Sequence, residues 1–153
     1  MNVASLAGAF LAILIGAFLP LQALINAQLG RSTAGPLFAS FVSFLVGTVA
    51  LAAALLAMRT SLPGLGTIGQ VPGWAWLGGL IGAVYVFSAT LLVPRLGAAS
   101  LICLVVFGQV IASLLLDHHG VLSAVRPADG LRIVGALLVA VGAVLVVQPW
   151  KSA

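Results

Sequence analysis

The residues of this chain whose types could do chemistry are few, and most of them fall at helical spacing. Gln109, Ser113 and Asp117 follow one another at i, i+4 and i+8, which on an α-helix places all three on one stripe. Gln109 lies near the middle of its apolar run and Asp117 at its end. A stripe that grows more polar toward one mouth could line a water-accessible cavity. The plain alternative is that Gln109 bonds a neighbouring helix, a contribution of about 0.6 kcal/mol for such bonds in membranes. Gln22 and Asn26 form a second pair, four residues apart, with Pro20 just before them. Proline removes a backbone hydrogen bond and can kink a helix, freeing a carbonyl near Gly16. Two amides beside a freed carbonyl would make a ligand-coordinating element. Asn26, near the end of its run, serves equally well as an interface or capping residue, and Gln28 falls on another face suited to headgroups.

Asp117, His118 and His119 form a cluster of titratable groups at a helix end. An aspartate there opposes the helix dipole, whose C-terminal end is negative, so a partner should offset it. Arg126, Arg132 or a histidine can be that partner. If Asp117 faces a cavity, it could exchange protons and drive transport; if it pairs with Arg132 across the following loop, it is a structural clamp. The clamp is the favoured reading, and Asp117 is also kept at the rim of the candidate site. The adjacent histidines do not make a metal site, because neighbours on a helix point about 100° apart and no acidic third ligand stands nearby. Tyr85 and Ser88, three apart, could face a cavity from another helix. Ser40 and Ser43 could add hydroxyls, while ordinary packing is the better role for the neighbouring Phe41 and Phe44.

These residues must be positioned by elements that sit in lipid. Of the 153 residues, 63% are hydrophobic and 5% charged, against about 25% charged in soluble chains. Five apolar runs approach or exceed the roughly 20 residues needed to cross a bilayer: residues 3–29, 34–58, 74–93, 96–116 and 131–147. They are continuously apolar rather than alternating, and backbone groups in lipid must pair within their own segment, so helices are expected. Pro94 is read as ending the third, and breaker clusters at 30–35, 63–73, 94–97 and 120–130 separate the runs. The expectation is an all-α membrane protein, a single transmembrane domain over residues 1–153 with no room for a soluble domain. The first run lacks a basic leader region, is long for a secretory signal and carries Gln22, Asn26 and Gln28, so it is read as a membrane helix. The single cysteine, Cys103, excludes disulfides and cysteine metal sites within one chain. Trp74, Trp76 and Trp150 suit interfacial anchoring, and Gly78 with Gly82 forms a GxxxG pair that permits close helix packing.

Lysine and arginine near helix ends normally set which side faces the cytoplasm. With five crossings, one side holds Arg59, Arg126 and Arg132, and the other Arg31, Arg95 and Lys151: three against three. In the plain reading, other determinants set a single orientation. In the sharper one the chain inserts both ways, and oppositely oriented copies pair into an antiparallel homodimer of ten helices. The odd helix number favours the second, because an inverted pair reproduces the inverted-repeat plan of many transporters.

The run QALINAQLG (22–30), then SFVSFLVGT (40–48), WAWLGGLIGAVYV (74–86) and VVFGQVIASLLLDHHG (105–120) resembles the small YdcZ-type, or DUF606, proteins of the drug/metabolite transporter superfamily. The resemblance spans nearly the whole chain. It implies a bacterial inner-membrane protein of five helices, working as a dual-topology homodimer or with an oppositely oriented homologue, and it implies no substrate. His119 stands where the pattern leads one to expect an aromatic residue.

No enzyme signature is present: there is no central carboxylate pair, no GxSxG elbow and no phosphate-binding glycine-rich lysine loop. No cofactor is expected. The net charge of +4 is spread over both sides and makes no nucleic-acid patch. A metabolite transporter, a passive channel and a non-transporting assembly partner remain. A channel would show a ring of repeated polar residues, and an assembly partner needs no polar stripe, so a transporter is expected. The candidate substrate-binding set is Gln22, Asn26, Ser40, Ser43, Tyr85, Ser88, Gln109, Ser113 and Asp117. Without a carboxylate at mid-membrane depth, neutral polar or anionic solutes are favoured over cations.

Overall fold

A run of apolar residues in hydrocarbon has no water to satisfy its backbone, and the helix is the one conformation that pairs each N–H and C=O within the segment. The computed structural model describes residues 3–148, which leaves Trp150 and Lys151 outside the described residues. Those residues form α1 (Val3–Arg31), α2 (Pro36–Ala57), a short α3 (Leu65–Gly69), a 3₁₀ turn (Gly73–Trp76), α4 (Leu77–Leu96), α5 (Ala98–His119) and α6 (Gly130–Val147). Among the described residues five helices are long and apolar enough to cross a membrane. Large apolar side chains along them are open: Phe10 is 69% exposed, Ile13 73% and Leu131 84%. Surfaces of this kind belong against lipid tails.

Most helix ends shift from the sequence expectation by one to three residues, and two of the differences matter for the fold. Pro94 does not end the third long helix. It lies inside α4, which runs on to Leu96, because a proline near the C-terminal end costs a single backbone bond and the chain turns only at Gly97. That residue takes φ 78°, a conformation open to glycine and strained for other residues, and it is the only residue between α4 and α5. The loop between α2 and α4 is not wholly irregular either, since it contains α3 and the 3₁₀ turn that carries the exposed Trp74 and Trp76.

Two helix ends close in the same manner. Past α5, Gly120 sits at φ 63°; its N–H bonds Asp117 O at 3.2 Å, and Val121 N–H bonds Leu116 O at 2.9 Å, the paired bonds of a Schellman cap. Past α2, Arg59 at φ 50° fills the equivalent place, with Arg59 N–H on Leu56 O at 3.1 Å and Thr60 N–H on Leu55 O at 3.0 Å. At the start of α6, the Asp129 carboxylate accepts from Arg132 N–H at 2.8 Å, satisfying one of the donors a helix leaves open.

The chain divides into two compact units at Pro20 and Pro94. One unit comprises the start of α1 up to Pro20 together with the chain from Arg95 onward. Here α5 packs against α6, and Leu101 and Ala143 are buried. The other runs from Leu21 to Pro94. Its buried residues are small: Ala23, Asn26 and Ala27 of α1, Ala39 and Ser40 of α2, and Ala89, Thr90 and Val93 of α4. Small side chains at helix contacts let backbones come close, which is how membrane helices gain packing energy without a hydrophobic driving force.

Candidate functional site

In the Leu21–Pro94 unit, hydroxyls inside apolar helices need acceptors, and most find one on their own backbone. Ser40 Oγ donates to Pro36 O at 2.8 Å, Thr48 Oγ1 to Phe44 O at 2.8 Å and Thr90 Oγ1 to Val86 O at 2.7 Å. These i−4 bonds satisfy the hydroxyl within its own helix. Ser43 makes no such bond among the described residues. It lines a cleft of ≈ 230 Å³ with Gln22 of α1, Phe44, Gly47, Thr48 and Leu51 of α2, and Val86 of α4. Gln22 and Ser43 were both expected at a site, and the fold brings them together although they lie on different helices. Thr48 was not singled out. Helical spacing from Ser43 carried a signal for the cleft wall, since Gly47 and Leu51 follow it at i+4 and i+8.

The remaining candidates of this unit fall elsewhere. Asn26 is buried and is not among the residues lining the cleft. Ser40 is buried and spends its hydroxyl on Pro36 O. Tyr85 and Ser88 are half-buried on α4 and also lie outside the cleft lining. Of the proposed packing glycines, Gly82 is close to the Phe44 ring, whose Cζ lies 3.5 Å from where a Cβ would stand, whereas Gly78 has open space around it. Thr90, 1% exposed and the most buried polar residue among those described, was missed because a threonine within an apolar run carries no spacing signal of its own.

In the unit that holds α5 and α6, the stripe expected from spacing lines a single cleft. Gln109, Ser113 and Asp117 of α5 share about 350 Å³ with Val106, Val110, Leu114 and Arg132 of α6. Gln109 and Ser113 are exposed and make no side-chain hydrogen bond among the described residues. Asp117 and Arg132 form the clamp: Arg132 Nη1 lies 3.6 Å from Asp117 Oδ2, with both side chains 37% exposed. At that exposure the pair contributes at most about 1 kcal/mol, so the loop between α5 and α6 relies on more than charge. Arg126 N–H donates to Asp117 O at 2.8 Å, Arg132 Nη1 to Arg126 O at 3.4 Å, and Ala128 N–H to His118 Nδ1 at 3.3 Å. Arg126 therefore serves through its backbone rather than its charge. His118 and His119 meet edge to face with centroids 5.1 Å apart. Asp129, the second acidic residue of the chain, was overlooked as a cap, although an aspartate directly before an apolar run is the usual start signal of a helix.

Among the described residues, five long apolar helices with charges at helix ends and in loops define a small multi-pass membrane protein. The chain belongs to the YdcZ family: residues 7–145 match the family model described as "Putative inner membrane exporter, YdcZ". It is 34% identical over 148 residues to "Inner membrane protein YdcZ" of Escherichia coli (strain K12), a match covering 94% of this chain and 96% of that one. No solved structure matches it.

Proposed function

We propose that the protein carries small metabolites out across the inner membrane as an antiparallel homodimer, with the transport path built between two inverted copies. The observation that carries this reading is the α5 cleft, where Gln109, Ser113, Asp117 and Arg132 set a polar path from mid-helix to the loop. Eight residues of α5 separate Gln109 from Asp117, which is about 12 Å along the helix axis. A polar wall of that length through apolar surroundings is costly unless a partner or a solute meets it. The even split of Arg59, Arg126 and Arg132 against Arg31, Arg95 and Lys151 supports insertion in both orientations. The description of the family as an exporter supports the direction. The test is transport in proteoliposomes: the protein should mediate flux of a ligand found by thermal-shift screening, and Gln109→Leu should abolish it while the dimer persists. Full flux in the variant would remove the α5 cleft from the path.

A further inference from the structure

The two clefts differ in whether charged side chains line them, and that difference bears on what the protein carries. At the α5 cleft the two ionic side chains, Asp117 and Arg132, neutralise each other. The cleft that Gln22 and Ser43 share has no charged side chain in its lining. Burying an ion without a counter-charge costs several kcal/mol even after relaxation, so this cleft disfavours anions and cations alike.

What it offers instead is hydrogen bonding of both senses. Thr48 has committed its proton to Phe44 O, but Ser43 on the same helix has not bonded its i−4 carbonyl, and the Gln22 amide has no partner among the described residues. An amide supplies two donors and an acceptor, and a hydroxyl one donor and an acceptor. Around them stand Phe44, Leu51 and Val86, an apolar wall with one flat face. Phe44 is backed by Gly82, which leaves room for the ring beside α4. At ≈ 230 Å³ the space falls below the range of about 300–1,000 Å³ that drug-sized ligands occupy.

We propose that Gln22 and Ser43 form a binding site for a small uncharged solute that carries both a hydrogen-bond donor and an acceptor on a compact apolar body, such as a simple amide or alcohol. The proposal rests on the transport reading for its role and on the cleft for its chemistry. It narrows the substrate class from neutral or anionic to neutral.

Three isosteric probes test it on the purified, full-length protein in nanodiscs: benzamide, benzoate and benzamidine at millimolar concentration, read by thermal shift. Benzamide should stabilise the protein, with benzoate and benzamidine weaker by about tenfold or more, the equivalent of about 1.4 kcal/mol. Gln22→Leu and Ser43→Ala should each remove the benzamide effect while leaving dimer size unchanged. Gln22→Glu guards against a merely structural loss: it keeps the shape, adds a carboxylate and should turn the preference toward benzamidine. Equal response to all three probes, response to none, or a benzamide effect that survives both Gln22→Leu and Ser43→Ala would overturn the assignment. Benzamide flux in proteoliposomes separates the two readings. Binding through Gln22 and Ser43 with no flux overturns transport and leaves the site standing, whereas flux indifferent to both residues overturns the site and leaves transport standing.

Discussion

Gln109 and Asp117 share one cleft but have different surroundings, and substitutions at them should have different consequences. Gln109 is exposed and has no side-chain hydrogen bond among the described residues, so Gln109→Leu keeps approximate size, removes donor and acceptor, and should leave melting in detergent within about 0.5 kcal/mol of the parent. Asp117→Asn removes the ionic partner of Arg132, yet the backbone carbonyl of Asp117 still accepts from Arg126 N–H. The loss should stay below about 1 kcal/mol, and a larger drop would mean the pair is less solvated in the bilayer than its exposure suggests. Gly120 is the sensitive position of this region. At φ 63° an L side chain is strained, and a Cβ would come within 2.6 Å of Val125 Cγ2. Gly120→Ala should therefore cost at least about 1–2 kcal/mol from backbone strain alone, seen as a lowered midpoint of thermal unfolding.

At the scale of the helices, the GxxxG pair separates into two roles. Gly82 lies against Phe44 of α2, so Gly82→Leu forces that ring aside and should cost about 1–3 kcal/mol by overpacking. Because Phe44 also lines the Gln22–Ser43 cleft, the same substitution should weaken benzamide binding. Gly78 has no neighbour within 4 Å of a Cβ position among the described residues, and Gly78→Leu should leave the isolated subunit intact. If gel filtration of Gly78→Leu instead shows the dimer falling apart, that glycine serves the contact between copies. The α2 terminus offers a converse test. Arg59 occupies a left-handed position that glycine fills without strain, so Arg59→Gly should raise the thermal midpoint while removing one charge from its side.

For the whole molecule, the decisive quantity is the distribution of orientations. Reporters fused to the C-terminus that are active only in the cytoplasm or only in the periplasm should both give signal. Two lysines added to the turn after α1 should shift the population toward the form with that turn inside, since the native bias is three positive charges against three. Signal from one reporter alone would exclude the homodimer unless an oppositely biased homologue supplies the second copy. The five-helix architecture itself does not depend on that outcome, because each helix satisfies its own backbone whichever way it points.

The amino-acid sequence by itself determined the number and approximate place of the long helices, because continuous apolarity over some 20 residues admits few other structures in lipid. It also carried local features that depend on neighbours a few residues away: the Gln109–Ser113–Asp117 stripe and, as the favoured choice, Arg132 as the partner of Asp117 across a ten-residue loop. Pro94 was misread because proline's bias against helix acts on the preceding turn, and near a C-terminus that turn has little left to lose. Contacts across helices were not legible. That Gln22 shares a cleft with Ser43, that Phe44 covers Gly82 and that Asn26 is buried followed from the tertiary structure alone. The physical reason is that a soluble helix declares its inward face by being apolar there and polar elsewhere. A helix apolar all round gives no such mark, so the rotation at which it meets its neighbours is set by the packing of small residues such as Ala23, Ala27, Ala39 and Ala89, and only the assembled helices reveal it.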